Sequence, residues 1–134
     1  MIHIVDDDAD VRASTGFLLR SHGYATETYA DGRAFLSAST LNEGCVLLDL
    51  RMPHMSGFEV QEALSDRKVD LPVIVMSGHG DTHTAAEAMR LGAVGFLEKP
   101  YAEDALIAAI AHASRLGAAA RNEKADAGSL PLEG

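Results

Sequence analysis

The stretch Cys45-Val46-Leu47-Leu48-Asp49-Leu50-Arg51-Met52-Pro53 decides the fold. Its opening run is continuously apolar and then stops on a carboxylate, the pattern of a strand buried on both faces, and strands of that kind belong to parallel sheets covered by helices on each side. Similar short runs stand at 2–5, 73–76 and 94–97, each separated from the next by a segment of helical periodicity. A further run, Tyr24-Ala25-Thr26-Glu27-Thr28-Tyr29, alternates instead. Alternation suits a strand with one face partly wet, so this one is placed at the sheet edge. Five strand–helix repeats in succession are the trace of an α/β fold with one parallel sheet and helices on both faces.

The helical segments have recognisable ends. The first is expected from about Asp8 to His22, with Val11, Thr15, Leu18 and Leu19 near one face and Gly23 as its stop. A second, from about Gly32 to Ser39, presents Phe35 and Leu36; a third starts at Ser56-Gly57 and turns Val60, Ala63 and Leu64 inward. Ser56 with Glu59 three residues later reads as a capping box. The fourth, about Asp81 to Leu91, is Ala-rich and stops at Gly92; the fifth, from about Ala102, carries Leu106, Ile107, Ile110 and Ala113 on one side. From Gly117 the periodicity fades after a turn or two of helix. The expected organisation is therefore one domain over residues 1–116 and a flexible tail or linker stub over 117–134.

At 134 residues and 47% apolar content, the chain is sized for one domain with a proper core. A net charge of −9 argues against a nucleic-acid surface, because phosphate backbones are held by clustered Lys and Arg. The one cysteine, Cys45, sits in an apolar run, which excludes a disulfide framework, fits a reducing compartment and marks a small core residue. No stretch approaches the roughly 18 apolar residues of a membrane span, and the N-terminus lacks a basic, apolar secretion signal. A cytoplasmic location without membrane contact is expected.

Ligands of open parallel sheets bind outside the carboxyl ends of the strands. The residues just past the apolar runs are polar here: Asp6, Asp7 and Asp8 after the first, Asp49 after the third, Ser77 and Gly78 after the fourth, Glu98, Lys99 and Pro100 after the fifth. Carboxylates from two strands brought to about 4 Å repel by roughly 4 kcal/mol per pair at an effective dielectric of ~20. A cation must offset that. Oxygen ligands suit a hard divalent ion, and Mg2+ in particular keeps open water positions that a phosphate oxygen can take. Lys99 supplies further positive charge as a point-charge phosphate binder.

Taken together, Val5-Asp6-Asp7, Leu47-Leu48-Asp49-Leu50-Arg51-Met52-Pro53, Met55-Ser56-Gly57, Met76-Ser77-Gly78 and Glu98-Lys99-Pro100 resemble the ordered motifs of response-regulator receivers of two-component systems. The resemblance spans residues 2 to about 115. Ser77-Gly78-His79-Gly80-Asp81 and Gly95-Phe96-Leu97-Glu98-Lys99-Pro100-Tyr101 look most like the FixJ-type branch. It implies a flavodoxin-like (βα)5 receiver fold with a five-stranded sheet of order 2-1-3-4-5. It also implies a phosphoprotein with Asp49 as phospho-acceptor, Asp7 as a direct metal ligand and Asp6 mainly a water-mediated one. By the same resemblance Asp49 and the backbone carbonyl of Arg51 would complete the metal set, Ser77 and Lys99 would hold the phosphoryl group, and Phe96 would be the rotating aromatic of the switch. In the family the peptide before Pro100 is cis. Phe96 stands where Tyr is commoner, and Ser77 where Thr is, which leaves the chemistry intact but the switch ring without a hydroxyl. The implied donor is a sensor histidine kinase or a histidine phosphotransfer protein. The implied output surface, for a downstream protein or a second copy, is formed by the fourth helix, fifth strand and fifth helix.

Other readings of the same residues are weaker. Asp6 to Asp10 begins like a calcium loop, but Val11 stands where Gly is needed and Phe17 where Glu is needed. The Asp run also suits a helix N-terminus, and Asp8 is assigned that cap. His79 and His83 are four apart without a third zinc ligand, so His79 is placed at the rim of the site, tuning water access. A magnesium-dependent phosphatase with an Asp nucleophile would need a second acid two residues on, where Arg51 stands, and a cap domain. A flavodoxin-like cofactor binder would need a phosphate loop after the first strand, where the acidic run repels phosphate. A regulator rather than an enzyme is expected, in single-domain form, with the receiver part of a FixJ-like DNA-binding regulator as the alternative.

Overall fold

The computed structural model describes residues 1–38, 41, 43–78 and 82–129. Five strands alternate with five helices: β1 Ile2–Val5, α1 Ala9–Ser21, β2 Thr26–Tyr29, α2 Gly32–Leu36, β3 Cys45–Asp49, α3 Gly57–Asp66, β4 Val73–Ser77, α4 Thr82–Arg90, β5 Gly95–Glu98 and α5 Glu103–Ser129. All strand pairs are parallel and the sheet order is β2-β1-β3-β4-β5, as the resemblance implies. The alternating strand lies at an edge, paired on one side only.

The doubly buried strands divide their side chains between two cores. Cys45 and Leu47 join Ile2, Ile4, Leu19, Ile74, Met76, Leu106 and Ile110 on the side of α1 and α5. Val46 and Leu48 join Val5, Phe35, Val60, Leu64, Val75 and Ala88 on the side of α2, α3 and α4. Each fully buried aliphatic side chain contributes roughly 1.5–3 kcal/mol, so the central strands hold the sheet firmly where it delivers its C-terminal residues. Within the second core His3 is buried between the Tyr29 hydroxyl, 3.2 Å from Nδ1, and the Glu43 carbonyl, 3.3 Å from Nε2. Burial holds its pKa below the ordinary value, against the opposing pull of the Glu43 carbonyl.

The helix starts match the expected caps. Asp8 accepts from the backbone N–H of Asp10 and Val11. Ser56 and Glu59 form both bonds of the capping box, 3.3 Å and 3.1 Å. The ends differ more. β2 begins at Thr26, two residues later than its apolar pattern suggests, and Glu27 and Thr28 are both exposed where strict alternation would bury one. α2 stops at Leu36, with Ser37 as its cap, and Ser39 lies outside the described residues. The expected start of α4, Asp81, also lies outside them. The largest departure is α5, which runs to Ser129 and not to a turn or so past Gly117. Apolar periodicity reports burial against a core, whereas the Ala, Arg, Glu and Lys of this segment favour helix by intrinsic propensity without one. Residues 130–134 of the expected tail lie outside the described set.

Two glycines separate backbone strain from crowding. Gly44 has φ +99° and a side chain there would meet the Met1 carbonyl oxygen at 1.8 Å, the same oxygen that accepts from Cys45 N–H as β3 begins. Gly23 has φ +90° and open space around it. Gly23→Ala is expected to cost about 1–2 kcal/mol, the left-handed penalty alone. Gly44→Ala is expected to cost on the order of 3–5 kcal/mol, because backbone must move as well. Urea unfolding of the two variants checks this, and equal losses would contradict it.

Candidate functional site

The register of the sheet brings the polar strand ends together. Asp49 closes β3 opposite Met76, and Ser77 closes β4 opposite Glu98, so Lys99 stands one residue beyond. Carboxylate oxygens of Asp6, Asp7 and Asp49 all lie within 4.8 Å of one another. Asp6 is fully buried, Asp49 is 5% exposed and Asp7 faces solvent. Lys99 Nζ donates to Asp6 Oδ2 at 2.8 Å and stands 3.7 Å from Asp49 Oδ2.

The Asp6 loop is held by its own backbone. Asp8 N–H donates to Asp6 Oδ1 at 2.9 Å, and the Arg12 guanidinium, one turn into α1, donates to the Asp6 carbonyl at 2.7 Å. Asp49 receives the Arg51 N–H at 3.3 Å. Among the described residues three carboxylates face the Lys99 ammonium, with the Arg12 guanidinium on the Asp6 backbone carbonyl as the further cation. At an effective dielectric of ~20, each charged carboxylate pair at this spacing costs roughly 3–4 kcal/mol. The consequence falls on Asp49, whose pKa is pushed up to about 7 by burial first and by the charge of Asp6 second, against the opposing pull of Lys99 and the Arg51 N–H. Lys99 is held above its ordinary pKa by the carboxylates that outweigh its own burial.

The other expected residues fall around this cluster. Ser77 is buried, its carbonyl accepting from Lys99 N–H at 2.7 Å. Phe96 lies on β5 opposite Val75, half-buried against the core of α3 and α4. The Lys99–Pro100 peptide is cis, as the resemblance implies. His79, expected at the rim, lies outside the described residues with Gly80 and Asp81. Sequence reasoning missed two supports: Arg12, whose role depends on a backbone acceptor, and the bond between Thr15 Oγ1 and Tyr101 Oη at 2.8 Å, which spans 86 positions. No spacing signal announces either.

Residues 2–111 match the family described as response regulator receiver domain. The chain belongs to the response-regulator receiver family. It is 48% identical over 110 residues to the transcriptional regulatory protein FixJ of Azorhizobium caulinodans, covering 81% of this chain and 52% of that protein. Among solved structures it resembles FixJ-N at TM-score 0.81 and 45% identity, covering 85% of this chain and 92% of the other. Full-length FixJ from B. japonicum superposes at TM-score 0.84 and 42% identity, covering 97% and 64%. The chain spans about half the length of the curated FixJ relative from Azorhizobium. As a receiver of the FixJ type it is a two-component signalling module, a reading the family and Arg51 in the place of a second acid favour over the phosphatase alternative. Among the described residues no helix is long and apolar enough to cross a membrane.

Receivers bind magnesium at an acidic pocket, and this chain's donors fit one: oxygen ligands from Asp6, Asp7 and Asp49, with charge to spare. Asp8, by contrast, spends its carboxylate on the α1 cap. In a magnesium titration Asp7→Asn is therefore expected to weaken binding at least tenfold and more than Asp6→Asn, whereas Asp8→Asn stays within about twofold of wild type, tenfold being about 1.4 kcal/mol. If Asp8→Asn is the most damaging of the three, the ligand set has been misassigned by one residue.

Proposed function

We propose that this receiver takes a phosphoryl group onto Asp49 from the phosphohistidine of a sensor histidine kinase or a histidine phosphotransfer protein, in a magnesium-dependent reaction. The observation that carries it is the meeting of Asp6, Asp7 and Asp49 oxygens within 4.8 Å beside the Lys99 ammonium. Phosphoryl transfer asks for positioning and charge neutralisation more than for a strong base, and these are what the site offers.

When bound, magnesium supplies positive charge to the oxygens of the transferring group. Asp7 would hold it directly and Asp6 mainly through water, with Asp49 and the Arg51 carbonyl completing the protein ligands. An Asp49 carboxylate oxygen attacks phosphorus in line, so that an O–P bond forms as the donor's P–N bond breaks and the departing imidazole takes a proton from water. Lys99, already 3.7 Å from Asp49, turns from Asp6 toward the new phosphoryl oxygens, and the Ser77 hydroxyl donates to another. Those contacts exist only in the modified state, so they alone can shift the balance of conformations. They draw on the ends of β4 and β5, and Phe96 on β5 transmits the change to the surface of α4, β5 and α5. That surface then meets a downstream protein or a second copy. The chain acts in the cytoplasm as a regulator that assists its own phosphorylation and dephosphorylation, without direct contact to nucleic acid.

Acetyl phosphate, or beryllofluoride standing in for the phosphoryl group, is expected to load the protein only with magnesium present. Asp49→Asn keeps the shape of the carboxylate but loses its nucleophilic charge, and loading is expected to vanish. Mass spectrometry with acetyl phosphate reads this, and label retained by Asp49→Asn overturns the proposal.

A further inference from the structure

We propose that Tyr101 and Thr15 act as a positioning pair for Lys99, fixing where the lysine stands and so which oxygens it reaches. The inference rests on the proposed phosphorylation of Asp49. A lysine side chain loses rotamer freedom when held, so the place of its backbone decides how much of its reach is productive. Lys99 has two stations to serve, Asp6 at 2.8 Å and the Asp49 side at 3.7 Å. A displacement of its backbone by even an ångström favours one over the other.

The segment that carries it is lightly held. Lys99 N–H bonds the Ser77 carbonyl at 2.7 Å, and the next backbone bond along the chain is Leu106 N–H to the Ala102 carbonyl at 3.1 Å. Among the described residues Pro100 and Tyr101 make no backbone hydrogen bond, and Pro100 has no N–H to give. Between this segment and α1 lies an open cleft of about 380 Å³, walled by Val11, Ser14, Leu18 and Lys99 besides the pair itself.

Across the cleft the Thr15 and Tyr101 hydroxyls meet, while His22 at the end of α1 bonds Glu103 at the start of α5, Nε2 2.8 Å from Oε2. Tyr101 Oη lies 2.8 Å from Thr15 Oγ1, and Thr15 is 3% exposed in the middle of α1. The Tyr101 ring packs against the core shared by α1 and α5. Tyr101 is two residues from Lys99, and α1 is the helix whose Arg12 clamps the Asp6 carbonyl. The Thr15–Tyr101 bond thus ties the segment bearing the cation to the helix that holds the acidic loop, setting the distance between the two.

Beryllofluoride, with magnesium saturating, is the probe. Tyr101→Phe and Thr15→Val are each expected to weaken its binding about three- to tenfold while magnesium affinity stays within twofold. The double variant should be no worse than either single one, and Thr15→Ser should restore binding. In a Lys99→Ala background Tyr101→Phe should have no further effect, a result that a purely structural role would not produce. Amide chemical shifts read binding, and thermal unfolding checks that each variant is folded; should Tyr101→Phe fail to fold, the Thr15 series carries the test alone. Equal losses in the wild-type and Lys99→Ala backgrounds, or no loss in either, overturn the positioning role alone. Failure of the wild type itself to bind overturns the proposed phosphorylation, and this inference with it.

Discussion

Three carboxylates held within 4.8 Å of one another, two of them out of water and one ammonium beside them among the described residues, are the constraint on which the rest of the molecule turns. Left alone, such a cluster would push itself apart or take up a proton, and the elevated pKa of Asp49 is the second of those responses. Protein interactions elsewhere keep the first from happening. The site is therefore a store of repulsion that, on the function proposed, a divalent cation would relieve and an incoming phosphoryl group would redistribute, with Lys99 as the charge that moves between its stations.

Holding repelling groups together requires a stiff frame, and the fold supplies it. Asp49 ends a strand buried on both faces between two apolar cores, so it cannot retreat from Asp6 without unpairing β1 from β3. The Asp6 loop is pinned by the Asp8 N–H and by Arg12. On the other side the frame is more open: Lys99, Pro100 and Tyr101 line a cleft against α1, with the Thr15–Tyr101 bond across it. Rigid on the side of the acids and adjustable on the side of the cation, the arrangement suits a switch better than it suits a catalyst for repeated turnover.

The architecture was legible because burial on both faces leaves a plain mark: Val46, Leu47 and Leu48 are apolar without interruption, and Asp49 ends the run where the chain leaves the sheet. The acidic cluster was legible for the same reason, each member coming just after or at the end of a strand. Boundaries set by local propensity were harder to read. α5 continues past Gly117 on a sequence rich in Ala, Arg, Glu and Lys, whose intrinsic preference for helix leaves no apolar periodicity to read. Supports that join distant positions left no trace at all. Gln61 sits inside α3 with its Nε2 on the Ala88 carbonyl of α4, and His3 bonds Tyr29 across β1 and β2, yet each reads in the sequence as an ordinary polar residue. The roles of Arg12, Thr15 and Tyr101 are of this kind.

The stored repulsion can be measured directly as stability. Urea unfolding of the wild type and Asp49→Asn, each with EDTA and again with saturating magnesium, compares a three-carboxylate site with one from which a buried charge has been removed. With EDTA, Asp49→Asn should be the more stable protein by roughly 1–3 kcal/mol, the scale of one partly screened carboxylate pair. Magnesium should stabilise the wild type more than the variant and narrow or reverse that gap. If Asp49→Asn is less stable than the wild type with EDTA, and magnesium moves both equally, the carboxylates are not in conflict and the account of the site is wrong.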